Sequence, residues 1–184
     1  MYRLFVAIDL PEEIKKELGA MCFGIPGAKW VEPEQLHLTL RFIGEVDGGV
    51  LADIRETLEG VRGEPFTMRL KGFGHFPPRQ EPRVLWVGVD AGEDLVRLRN
   101  RIENGLVRAG IEPEHRKFAP HITVARLKET PLRKLTNFFA GNALYASPAF
   151  EVTEFHLYSS TLSLKGAIHT REESYLLIRH SLES

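Results

Sequence analysis

Two tetrapeptides, His37-Leu38-Thr39-Leu40 and His121-Ile122-Thr123-Val124, hold the residue types best suited to acid–base work on a phosphate. Each lies in an apolar, alternating run that reads as a strand. Side chains at i and i+2 of a strand share a face, so each histidine shares its face with the threonine two places on. Leu38, Leu40, Ile122 and Val124 point the other way and can pack beneath helices. Two imidazoles around a phosphate can divide the proton transfers of in-line displacement, one taking a proton from the attacker and one giving a proton to the leaving oxygen. Threonine hydroxyls can donate to the non-bridging oxygens. No metal or other cofactor is called for.

The spacing links the two motifs to a repeat. His37 to His121 is 84 residues, Phe66 to Phe150 is the same, and the opening strands Phe5–Asp9 and Leu85–Asp90 are offset by about 80. A period near half the chain is unlike a solenoid. It predicts one bilobal α+β domain over residues 1–184, with halves near 1–80 and 81–184. Each half is a βαβαβ-type unit with an antiparallel sheet, the two related by a pseudo-two-fold axis around a central cleft. A duplicated structural His/Thr pair is the competing explanation.

In the first half, strands are expected at Leu4–Asp9, Leu36–Ile43 and Phe66–Phe73. Helices are expected from Pro11 to about Met21, with Asp9 placed to cap, and after Asp47-Gly48-Gly49. In the second half, strands are expected at Val84–Asp90, His121–Leu127 and Phe150–Tyr158, and helices at Glu93–Ala109 and Pro131–Phe139. A last strand, Ser174–His180, lacks a counterpart, and Leu164–Thr170 reads as a loop over the site.

Bulk properties narrow the function. The 184 residues carry a net charge of −1, without the basic excess expected of a protein gripping long duplexes, so a nucleic-acid substrate would be met at an end or as a short piece. The single cysteine, Cys22, excludes an internal disulfide and fits a reducing cytoplasm. No secretory signal and no membrane-spanning run is present. The 49 charged residues against four Asn and two Gln suggest a heat-adapted source.

The runs H-L-T-L-R-F-I-G at 37–44 and P-H-I-T-V-A-R at 120–126 resemble the 2H phosphoesterase superfamily. F-V-A-I-D-L-P at 5–11, W-V-E-P-E-Q-L-H-L-T-L at 30–40 and L-Y-S-S-T-L at 157–162 resemble its RNA 2′,3′-cyclic phosphodiesterase family, also called 2′-5′ RNA ligases. The resemblance implies hydrolysis of a ribose 2′,3′-cyclic phosphate to a 2′-phosphomonoester. His37 would be the proton donor to the departing 3′-oxygen, and His121 the acceptor that activates water. Thr39 and Thr123 would bind the phosphate. Arg126 matches the arginine of H-x-T-x-x-R, although simple alternation puts it on the face opposite His121, so a bulge, strand end or long reach is required. By the same parity Arg41 faces the cleft as a candidate phosphate contact, with a surface arginine as the competing reading. Phe42 is a candidate stacking partner for a base, with a core position as the alternative.

The expected partners are RNA ends or short oligonucleotides bearing a 2′,3′-cyclic phosphate, and the protein itself is expected to be monomeric. His75, His115, His156, His169 and His180 show no metal-ligand spacing. No P-loop pattern G-x-x-x-x-G-K-[ST] is present. Reverse ligation through a 2′-5′ linkage would use the same groups. A non-catalytic nucleotide or RNA-end binding module of the same fold is the alternative.

Overall fold

Alternation and helical spacing turn into elements largely where the sequence places them, in a computed structural model that describes residues 1–179. The order is β1 (Tyr2–Asp9), α1 (Glu12–Met21), β2 (Ala28–Trp30), β3 (His37–Val46), α2 (Gly48–Glu59) and β4 (Phe66–Phe76). There follow β5 (Val84–Asp90), α3 (Gly92–Arg108), β6 (His121–Leu127), α4 (Leu132–Asn142), β7 (Phe150–Val152), β8 (Glu154–Ser163) and β9 (Gly166–Leu176).

Local chemistry explains the boundaries. Asp47 caps α2 by accepting from the Val50 N–H at 2.9 Å. Leu95, Leu98, Ile102 and Leu106 recur at helical spacing and are the buried stripe of α3. Asp9 does not cap α1. Pro11 occupies that position, and the Asp9 carboxylate accepts from the Leu10 N–H while pairing with Lys15 and Arg171.

Two antiparallel sheets form, in the orders β3-β1-β8-β9 and β2-β6-β5-β4-β7. The motif strands β3 and β6 are in contact where the sheets meet. Each motif strand flanks a central strand, β1 or β5, and on that strand's other side lies a strand from the opposite half of the chain: β8 beside β1, and β4 beside β5. The short β2 likewise leaves the first half to pair with β6. The repeat is therefore legible in element order, but the sheets are not the two contiguous halves.

This exchange corrects two sequence expectations. The segment expected as one strand, Phe150–Tyr158, breaks at Thr153: β7 joins β4, and β8 crosses to β1. The closing strand begins earlier than expected, at Gly166, so 164–170 is a hairpin turn and the start of β9 rather than a loop. His180, expected as that strand's end, lies outside the described residues.

The apolar core is continuous across the lobes. It joins Leu4, Val6, Ile8, Leu38 and Leu40 of the first sheet to Leu70, Leu85, Val87, Ile122 and Val124 of the second. Helices α2 and α3 pack on each other and against β9, β3 and β4, and α4 packs on β4. Burying these faces leaves the opposite face of each motif strand, with its His and Thr, only partly covered.

Candidate active site

His37 and His121 are the first residues of their strands. A one-turn 3₁₀ segment, Pro33–Gln35, delivers the chain to β3, and the His37 Nδ1–H donates to the Gln35 carbonyl at 2.7 Å. The His121 Nδ1–H donates to the Ala119 carbonyl, also at 2.7 Å and also two residues back. A carbonyl can only accept, so in both rings the proton sits on Nδ1 and Nε2 is left to take or give one.

Cross-strand neighbours place the threonines on the same face. His37 lies opposite Asp9 and Thr39 opposite Ala7 of β1, while His121 lies opposite Gly88 and Thr123 opposite Trp86 of β5. All four motif side chains are half-buried between fully buried aliphatics.

Both strands then bulge at the fourth residue of the motif. The register runs Thr39↔Ala7 then Arg41↔Val6, and Thr123↔Trp86 then Ala125↔Leu85, which leaves Leu40 and Val124 as extra residues. Each bulge puts two successive residues on the buried face and returns the next to the cleft face. Arg126 is thereby exposed on the side of His121 and Thr123, and Phe42 on the side of His37 and Thr39.

The same bulge corrects the reading of Arg41. It lies on the buried face, 6% exposed, with its Nε donating to Glu103 at 2.5 Å and its other nitrogens to the carbonyls of Phe42 and Glu112. Arg41 is therefore not a phosphate contact but half of a buried ion pair. Burial alone would raise the Glu103 carboxyl, but Arg41 and the Glu114 N–H outweigh it and hold the group below the usual carboxylate range.

The two histidines have different neighbours. His37 stacks on Phe5 with centroids 4.9 Å apart, and the His169 ring meets its edge at 5.1 Å. Phe5 stacks in turn on Tyr158 at 5.3 Å. Burial lowers the His37 pKa to about 4; the Gln35 carbonyl and Asp9 oppose that shift, and His169 and Lys15 add to it. His121 is met edge-on by Phe76 at 5.0 Å and flanked by Trp86 at 6.3 Å. Trp86 lies over Gly74, where a Cβ would fall 2.2 Å from the indole, so that position needs glycine.

Sequence reasoning missed Phe5, Tyr158 and His169 as neighbours of His37. The hairpin signal Ser163-Leu164-Lys165-Gly166 could have paired β8 with β9 and so revealed His169. Of the other histidines, His156 is 1% exposed, with Nδ1 bonded to Ser174 Oγ at 2.8 Å, and His75 bonds the Pro77 carbonyl at 2.9 Å. Among the described residues, no three His, Cys, Asp or Glu side chains group as metal ligands would, and no helix is long and apolar enough to cross a membrane.

Residues 5–163 match the model of the 2′-5′ RNA ligase superfamily. The chain belongs to that superfamily. It is 39% identical to the RNA 2′,3′-cyclic phosphodiesterase of Thermotoga maritima, with 91% of each chain covered. Identity to the RNA 2′,3′-cyclic phosphodiesterase of Archaeoglobus fulgidus is 38%, over 91% of this chain and 96% of that one. Among solved structures it is similar to TT0787 of Thermus thermophilus, with a TM-score of 0.78, 33% identity and coverage of 95% and 97%. It is also similar to Escherichia coli LigT complexed with 3′-AMP, with a TM-score of 0.76, 29% identity and coverage of 97% and 99%.

Proposed function

We propose that this protein opens ribose 2′,3′-cyclic phosphates at RNA ends, giving a 2′-phosphomonoester and a free 3′-hydroxyl. The observation that carries this reading is the matched pair of Nδ1-anchored imidazoles, each with Nε2 free and a threonine on the same strand face.

In the forward reaction a water oxygen attacks phosphorus while His121 Nε2 takes its proton. The bond from phosphorus to the 3′-oxygen breaks, and the Nε2–H of protonated His37 gives its proton to that oxygen. Thr39, Thr123 and Arg126 hold the non-bridging oxygens, whose charge grows as the attacker arrives. His121 ends protonated and His37 neutral, and exchange with solvent restores both. A ribose 5′-hydroxyl that replaces water as the attacker forms a 2′-5′ linkage by the same groups, His121 taking its proton and His37 protonating the departing 3′-oxygen.

The role of His37 places a demand on the substrate. Burial holds its pKa at about 4, which leaves it neutral at neutral pH. A bound phosphate anion beside Nε2 raises that pKa and charges the acid only when there is a substrate to receive its proton. Phe42, exposed on the cleft face, supplies a surface for a base.

The test is hydrolysis of cytidine 2′,3′-cyclic phosphate in excess chelator, with the product isomer identified by phosphorus NMR. The 2′-phosphate is expected alone, and His37→Ala and His121→Ala should each lose on the order of 10²- to 10⁴-fold in rate while remaining folded. A 3′-phosphate product, or full turnover in either variant, would overturn the proposal.

A further inference from the structure

Two cations stand side by side on the sheet face that carries His121, with no carboxylate of the described residues within ion-pair distance. Lys29 of β2 lies directly opposite Arg126 of β6, so both side chains leave the second sheet on the cleft face. The Lys29 ammonium reaches 3.7 Å from the position a Cβ would take on Gly166, at the tip of the β8–β9 hairpin. That hairpin belongs to the first sheet, so Lys29 reaches from the second sheet to the first. Lys165 precedes Gly166 at the exposed turn. Among the described residues, Lys15, Arg41, Arg55, Arg97, Arg116, Arg171 and Arg179 all have carboxylate partners. Lys29, Arg126 and Lys165 do not, nor do other cations such as Lys128 and Lys134; what sets Lys29 and Arg126 apart is their pairing on the face that carries His121.

Lys29 and Arg126 are cross-strand neighbours, and Lys29 reaches the turn that carries Lys165, in a chain whose net charge is −1. Like charges brought together repel, and an anion laid between them removes that cost. We propose that Lys29 and Lys165 form a subsite for an ordinary RNA phosphodiester, the one joining the reacting nucleotide to its predecessor. This rests on the function proposed above. With Arg126 on the cyclic phosphate, the next anion along the strand is that 5′-linked phosphodiester; Lys29 stands beside Arg126, and Lys165 sits on the turn that Lys29 reaches. The subsite selects oligonucleotide ends over mononucleotides through phosphate contacts, which fix register without reading sequence.

The test compares kcat/KM for cytidine 2′,3′-cyclic phosphate with that for cytidylyl-cytidine 2′,3′-cyclic phosphate, and with a dinucleotide whose internal linkage is an uncharged methylphosphonate. The charged dinucleotide should be favoured by about tenfold, as one charge-assisted contact provides, and the methylphosphonate should lose most of that gain. In the Lys29→Ala/Lys165→Ala variant the ratio should fall close to one. Titration with the product dinucleotide 2′-phosphate reads the same subsite without turnover, and removing each lysine should reduce its salt slope by about 0.7. A wild-type ratio near one, or a preference that survives in the double variant, overturns the subsite while leaving mononucleotide hydrolysis intact. Binding preference for the dinucleotide product without turnover of any substrate would uphold the subsite and sink the proposed reaction.

Discussion

His37 and His121 begin as the same device and end in different surroundings. Both donate from Nδ1 to the carbonyl two residues back, at the same 2.7 Å. Around His37 stand Phe5, the edge of His169, and a charged group in which Asp9 bridges Lys15 and Arg171. Around His121 stand Phe76 and Trp86, with Gly74 cleared to let the indole lie flat. The i+5 positions that the two bulges return to the cleft also differ, with an aromatic ring at Phe42 and a guanidinium at Arg126. In the proposed reaction the two matched imidazoles are the proton-transfer groups, and their different neighbours are what give it a direction.

The sharpest way to break the comparison uses the arginines of the two motif strands. Arg126→Ala should reduce kcat by on the order of 10²-fold, the loss seen when one donor to a developing oxyanion is removed, with stability changed by less than about 0.5 kcal/mol. Arg41→Met should do the reverse. It leaves Glu103 buried without its partner and should cost about 3–5 kcal/mol in urea unfolding, while the folded fraction remains active. Equal effects of the two substitutions on both readouts would mean that the bulges do not sort these residues between faces.

A smaller effect sharpens the contrast between the histidines. The folded pKa of His37, about 4, lies below its ordinary value of 6.5. Between those values the unfolded chain binds a proton that the folded chain refuses. The stabilisation tied to neutral His37 is thus complete above pH 6.5 and drains away as pH falls toward 4, a change of up to about 3 kcal/mol. Burial lowers His156 and His169 as well, so they act in the same direction. Urea unfolding of His37→Asn between about pH 7 and about pH 4.5 should show a flatter decline than the parent protein. An identical decline would remove burial of His37 as the cause.

Much of this site is visible in the sequence because its logic is local. Strand parity aims His37 with Thr39, and His121 with Thr123, to one face, and the common 84-residue offset marks them as counterparts. Arg126 is a harder case, since its odd spacing from His121 is itself a signal that alternation must break. Applying unbroken parity to Arg41 failed because the same bulge occurs at Leu40, where no motif residue announces it. The exchange of β4 and β8 between sheets left no local trace. Adjacent strands share hydrophobic alternation whichever half they come from, so periodicity cannot tell which sheet a strand joins. His169 reaches His37 only through that exchange, from a segment read as a loop.

The central claim is that two histidines with opposite protonation states share one phosphate, and the pH dependence of kcat/KM tests it most directly. The wild-type profile should be a bell, its rising limb from the base and its falling limb from the acid. In His37→Ala the falling limb should vanish and the rising one remain, and in His121→Ala the rising limb should vanish and the falling one remain. A complete bell retained in both variants would contradict the account.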